Sequence, residues 1–207
     1  MMKLIAALVL SAAVCPAGTF LYSNASTDLL NTAVYGGNGY SEIGDQVHLV
    51  SPAWLTDLTV QFYAIGADAT FDAVLRFYNV GSPVGSQIGG AFTLAGISIG
   101  AGLSQDVTFS NLGFLLVPQD LIATLSVENV TGGGDVGINL FDPPTVGTSS
   151  NGFFFANDGT GLAQVSSETN MDNLYLVIGG ESTPEPAVEG ITFAGLMLLV
   201  WYRQKRR

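Results

Sequence analysis

The chain is short of basic residues. Six Lys and Arg stand against 17 Asp and Glu in 207 residues, a formal net charge of −11. A nucleic-acid surface needs cations to neutralise phosphates, so no nucleic-acid partner is expected. Cysteine and histidine are each present once, as Cys15 and His48. A disulfide scaffold needs several cysteines and a zinc site needs a Cys/His cluster, so neither is available. Charged residues make up only 11% of the chain and hydrophobic ones 48%. That balance excludes an acidic disordered chain. Lys and Arg, good helix formers, are scarce while Gly reaches 26 residues, so long helices are disfavoured.

What is present divides the chain into three. At the N-terminus Lys3 precedes an apolar run, 4–14, broken only by Ser11. Cys15-Pro16-Ala17 then supplies small residues for cleavage after Ala17, and Ser23-Asn24-Ala25 offers a second cut after Ala25. Charge, apolar length and small residues in that order are those of a signal helix, expected over 1–17. At the other end Pro184-Glu185-Pro186 precedes an apolar stretch, 187–202, whose polar exceptions are Glu189 and Thr192. Arg203-Gln204-Lys205-Arg206-Arg207 closes the chain. A helix over that stretch spans roughly 24 Å at about 1.5 Å per residue, against about 30 Å for a bilayer core. The basic end belongs on the cytoplasmic side. With a signal helix in front, the middle then lies outside.

This tail resembles a PEP-CTERM sorting signal: a Pro-Glu-Pro motif, a short hydrophobic helix and an Arg-rich terminus. The resemblance covers 184–207. It departs from the family at Thr183, where Val is frequent, and at Glu189. It implies export across a bacterial inner membrane and transient tethering there, followed by the cell surface or exterior. Pro184, Glu185 and Pro186 would be recognised by an exosortase-like processing enzyme. Ile191, Leu196, Leu198, Leu199, Val200 and Trp201 would form the anchor helix. Arg203, Lys205, Arg206 and Arg207 would stop transfer. Such substrates accompany exopolysaccharide or biofilm production. The family is defined by its tail, so nothing is implied about the middle.

The middle is expected to fold over 18–178, with 179–183 as linker. Residues 18–183 hold fifteen acidic side chains and one basic one, Arg76, a net charge of −14. Apolar residues there recur with period two. Leu58, Val60, Phe62 and Ala64 alternate with Thr59, Gln61 and Tyr63. Ala73, Leu75 and Phe77 follow the same rule, as do Leu121, Ala123, Leu125 and Val127, and Leu174, Leu176 and Ile178. Further strands are expected at 19–23, 46–50, 91–94, 106–109, 136–141 and 152–156. Gly36-Gly37-Asn38-Gly39, Gly132-Gly133-Gly134-Asp135 and Asn157-Asp158-Gly159 read as turns. The pattern predicts an all-β, antiparallel two-sheet sandwich, jelly-roll-like, flanked by the signal helix and the hydrophobic C-terminal helix. A closed up-and-down barrel is the second arrangement.

Chemistry is sparse. His48 reads as an ordinary outward strand residue, and no nucleophile-elbow motif accompanies it. No catalytic residue is therefore expected. Glycoside hydrolysis needs two carboxylates held together, but Asp57, Asp72, Glu128 and Asp135 are scattered. The acidic residues are expected on solvated faces and turns. Calcium, the one candidate cofactor, takes six to eight oxygens. Asp142, Asn157 and Asp158 have suitable chemistry, although Asn157-Asp158-Gly159 also suits a plain tight turn. Trp54 and Phe154 are candidate glycan-stacking residues, with core packing as the alternative. The reading is an exported, non-enzymatic, structural or adhesive β-sandwich of the cell envelope or extracellular matrix. The alternative is a glycan-binding or polysaccharide-active module.

Overall fold

The computed structural model of the chain describes residues 19–35, 40–81, 84–149, 153–166 and 173–183. Among them no helix occurs and fourteen strands do. In chain order these are β1 (Thr19–Ser23), β2 (Asp28–Val34), β3 (Glu42–His48), β4 (Ala53–Ile65), β5 (Ala69–Asn79), β6 (Gln87–Ile99) and β7 (Ser104–Val117). The remainder are β8 (Asp120–Thr131), β9 (Asp135–Phe141), β10 (Thr148–Ser149), β11 (Phe153–Asn157), β12 (Leu162–Ser166), β13 (Asn173–Leu174) and β14 (Leu176–Ser182).

They form two seven-stranded antiparallel sheets rather than one closed barrel. The first runs β1-β14-β4-β9-β13, with β2 on β9 and β7 on β4. The second runs β12-β11-β3-β8-β5-β6, with β10 on β3. The period-two pattern explains the core between them. Leu58, Val60, Phe62 and Ala64 of β4 are all fully buried, as are Ala73, Leu75 and Phe77 of β5. Phe62 meets Phe71 edge to face across the core, with ring centroids 5.1 Å apart, a favoured aromatic geometry.

The chain changes sheets between β4 and β5 and again between β8 and β9. Those two turns pack backbone against backbone. A Cβ on Gly132, whose φ is +95°, would lie 2.4 Å from the Asp68 carbonyl oxygen, and one on Gly134 would lie 2.1 Å from that of Ala67. The glycine run is therefore required by close approach as well as by turn geometry.

Several expectations need correction. Strands β2, β10 and β12 are additional. The strand expected at 46–50 is β3, which starts four residues earlier and ends at His48. Strand β8 is buried on both faces at its centre: Ile122 and Thr124 are as inaccessible as Leu121 and Ala123. The acidic residues are not all solvated either, because Glu42, Asp45 and Asp142 are buried.

Candidate functional sites

Trp54 lies on the outer face of the first sheet, 39% exposed, between the inward Ala53 and Leu55. Its cross-strand neighbours are Leu116 of β7, half exposed, and Glu181 of β14. Phe20 of β1, 65% exposed, stands opposite Gly179 of β14. A Cβ on Gly179 would fall 2.6 Å from both Asp57 carboxylate oxygens, so the absent side chain leaves room for that carboxylate. The Thr56 hydroxyl donates to Asp57 Oδ2 at 2.7 Å. Thr56 also lines a cleft of about 130 Å³ with Asn111, Leu112 and Gly113. Apolar rings beside hydrogen-bond-accepting carboxylates offer stacking and hydroxyl recognition together. Phe154 belongs to β11 in the second sheet, so it shares no platform with Trp54; its side chain lies outside the described residues.

His48 is half exposed and its Nδ1 contacts Asp120 Oδ1 at 2.8 Å. Its Nε2 faces the Gln119 amide nitrogen at 3.0 Å, which also donates to the Leu49 carbonyl. With Gln119 as donor, Nε2 accepts and Nδ1 carries the proton. A triad needs Nε2 turned toward a nucleophile, and here an amide occupies that side. The adjoining cleft of about 220 Å³ is lined by Gln46, His48, Asp120, Thr148 and Ser149.

The only arginine among the described residues sits on the outer face of the second sheet. Arg76 Nη1 donates to Ser126 Oγ at 2.9 Å and lies 3.8 Å from Glu42 Oε1. Its Nη2 lies 3.9 Å from Glu128. The Tyr78 hydroxyl donates to Glu42 Oε1 at 3.3 Å, and the Thr124 hydroxyl donates to the same oxygen. Of the scattered carboxylates, Asp72 and Glu128 are cross-strand partners, whereas Asp57 and Asp135 lie in the first sheet. Asp72 accepts from Asn129 Nδ2 at 2.7 Å and from the Gly96 amide at 2.8 Å. These bonds hold its carboxyl below the usual range. A glycosidase general acid needs the opposite shift.

A second polar group lies inside the sandwich. Alternation along β3 turns Ile43, Asp45 and Val47 toward the core, and Asp45 is completely inaccessible. The buried Tyr22 and Asp142 lie near enough to interact electrostatically with it, and the buried Asn173 is bonded to Asp142. Asn24 ties the elements carrying them together. Its Nδ2 donates to the carbonyls of Phe141 (3.1 Å) and Leu174 (2.7 Å), and its Oδ1 accepts from the Leu176 amide (2.9 Å). Asn173 Nδ2 donates to Asp142 Oδ1 at 2.5 Å. Neither Asp45 oxygen has a hydrogen bond of good geometry. Burial pushes its carboxyl well above the usual range and the Asp142 charge adds to this, while the nearby Gln46 and Leu174 amides pull the other way without prevailing. Burial, then the Asp45 charge, also raises the Tyr22 phenol; the Ser149 hydroxyl partly offsets this and Asp142 raises it further.

The sequence-level oxygen ligands are not brought together. Asp142 follows β9 in the first sheet, whereas Asn157 ends β11 in the second. Asn157 Oδ1 accepts from the amides of Gly159 (2.9 Å) and Gly161 (3.2 Å). Asp158 Oδ1 accepts from the Thr160 hydroxyl (2.6 Å) and amide (3.0 Å). These are self-capping turns. Among the described residues no group of three or more His, Cys, Asp or Glu converges. Sequence reasoning missed Asp45, whose signal was parity: stepping back in twos from Leu49 and Val47 reaches it.

Ala17, Pro184, Glu185, Pro186, Ile191, Leu196, Leu198, Leu199, Val200, Trp201, Arg203, Lys205, Arg206 and Arg207 lie outside the described residues. Among the described residues no helix is long and apolar enough to cross a membrane. No protein family, curated protein or solved structure matches the chain.

Proposed function

We propose that this is an exported, non-enzymatic protein whose acidic, jelly-roll-like β-sandwich serves a structural or adhesive role in the cell envelope or extracellular matrix. A signal helix at 1–17 directs export. The tail, 184–207, tethers the domain to the inner membrane through a hydrophobic helix until an exosortase-like enzyme processes it near Pro184-Glu185-Pro186. The observation that carries this reading is the order of motif, apolar stretch and basic end at the C-terminus, paired with a signal-like N-terminus. The engagement of His48 Nε2 by Gln119 supports the non-enzymatic part. Intact-mass analysis of the native mature protein tests the processing step. The expected species ends near Pro186; a mature protein retaining the residues beyond it overturns the processing.

The exposed Trp54, Phe20 and Leu116 with Asp57 and Glu181 favour a second reading, binding of matrix exopolysaccharide at that face. Retention of the domain on uncharged polysaccharide should be lost in Trp54→Ala. Equal retention of variant and wild type would remove this reading.

A further inference from the structure

Asp45 and Asp142 put two carboxylates into the interior of a domain with almost no cations. Among the described residues Arg76 is the only Lys or Arg and His48 the only His. Arg76 is engaged with Ser126, Glu42 and Glu128 on the outer face, and His48 with Asp120. No ion pair among the described residues reaches Asp45 or Asp142. A carboxylate removed from water without a partner is strongly disfavoured, so Asp45 needs either a proton or an ion from outside. A buried polar atom left unsatisfied is a recognised mark of a missing water or ion.

We propose that Asp45 and Asp142 are ligands of a calcium ion held between the two sheets. Both Asp45 oxygens are inaccessible, and neither has a hydrogen bond of good geometry, although the Gln46 and Leu174 amides lie nearby. Asp142 Oδ1 accepts from Asn173 Nδ2, which fixes the carboxylate. The buried Tyr22 hydroxyl, near enough to feel the Asp45 charge, offers a further oxygen. An all-oxygen set selects a hard cation over zinc or copper. Magnesium demands near-octahedral geometry and dehydrates reluctantly, whereas calcium tolerates irregular, protein-rich coordination. A dry interior therefore favours calcium. Asp45 comes from the second sheet and Asp142 follows β9 of the first, so the ion would tie the two sheets together. This site keeps Asp142 from the sequence-level ligands and replaces Asn157 and Asp158 with Asp45. It does not depend on the proposed function.

The test is thermal unfolding of the full chain at pH 8 after exhaustive chelation, with calcium, magnesium or chelator added back, together with elemental analysis of bound metal. At an ion concentration about 100 times Kd, the expected rise in Tm with calcium is about 5–10 °C, with less from magnesium. One calcium per chain should be retained. Asp45→Asn, near-isosteric and uncharged, should abolish both the rise and the bound calcium, and Asp142→Asn should weaken them. A wild type indifferent to calcium, with Asp45→Asn more stable than wild type in chelator, would show that a proton occupies the site and overturn the proposal. Full calcium response in Asp45→Asn would overturn it as well, by moving the ion elsewhere. If Asp45→Asn does not fold, metal content of the wild type and Asp142→Asn decides: no stoichiometric calcium in the wild type ends the proposal.

Discussion

Glu42 and Asp45 are three residues apart on the same strand and both are buried, yet they point to opposite faces of the second sheet. Glu42 faces outward and meets Arg76, Tyr78 and Thr124. Asp45 faces inward and meets no donor in good geometry. Burial is nearly the same for both; compensation is not. A buried carboxylate is tolerated where charge and hydrogen bonds surround it. The outer face supplies these from the only described arginine and two hydroxyls. The inner face has to recruit a proton or an ion.

The largest expected effect comes from making Glu42 resemble Asp45. Arg76→Ala leaves Glu42 with its two hydroxyl donors and no cation. Arg76 is about a quarter exposed, so the loss should fall below that of a fully buried pair, at about 3 kcal/mol. For a domain of this size that lowers Tm by roughly 6–12 °C. Urea unfolding at pH 7 measures it, and Glu42→Gln in the same background should restore part of the loss. A loss under about 0.5 kcal/mol would mean that the hydroxyls alone compensate Glu42.

The second effect is a pH dependence of unusual sign. The folded Asp45 carboxyl is raised above its ordinary value, chiefly by burial. An unfolded Asp titrates near about 3.9. In chelator the fold therefore holds more protons than the unfolded chain above that pH. Stability from this group is fully present below about pH 4 and is lost as pH rises through the raised folded value, by at most about 1.4 kcal/mol per pH unit. Asp72 and Asp158 are lowered by their hydrogen bonds; their contribution is present above pH 4 and lost as pH falls. The informative quantity is wild type minus Asp45→Asn in chelator from pH 5 to 7, expected to fall as pH rises, by no more than the limiting slope. A difference that stays flat would show that Asp45 titrates alike in both states.

Much of the sandwich was legible because strand faces repeat every two residues. The alternation in β4 and β5 gave the core residues directly, and β1 has the bounds expected of it. Strand β2 was hidden because its register shifts between Asp28 and Thr32, and Leu30 sits 91% exposed with φ +55°. Both features break the period. The start of β3 was hidden because Gly44-Asp45 has the composition of a turn. Gly44 serves close approach instead: a Cβ there would fall 2.5 Å from Thr124 Cγ2 across the strand pair. The Arg76–Glu42 contact needs the register of β3 on β8 and of β8 on β5, which no local pattern carries.

The smallest expected effect sharpens the comparison from the other side. Asp158 is a carboxylate of the same type as Asp45, placed in a turn at the surface, and its Oδ1 accepts from the Thr160 amide and hydroxyl. Its hydrogen bonds are local, within two residues, so they exist with or without an ion. Asp158→Ala should leave any calcium-induced rise in Tm unchanged from wild type. It should also leave the stability gap between calcium and chelator intact at every pH. A calcium response that disappears in Asp158→Ala and survives in Asp45→Asn would reverse the assignment. The ion would then belong to the surface turn, and the unpartnered carboxylate in the core would be holding a proton.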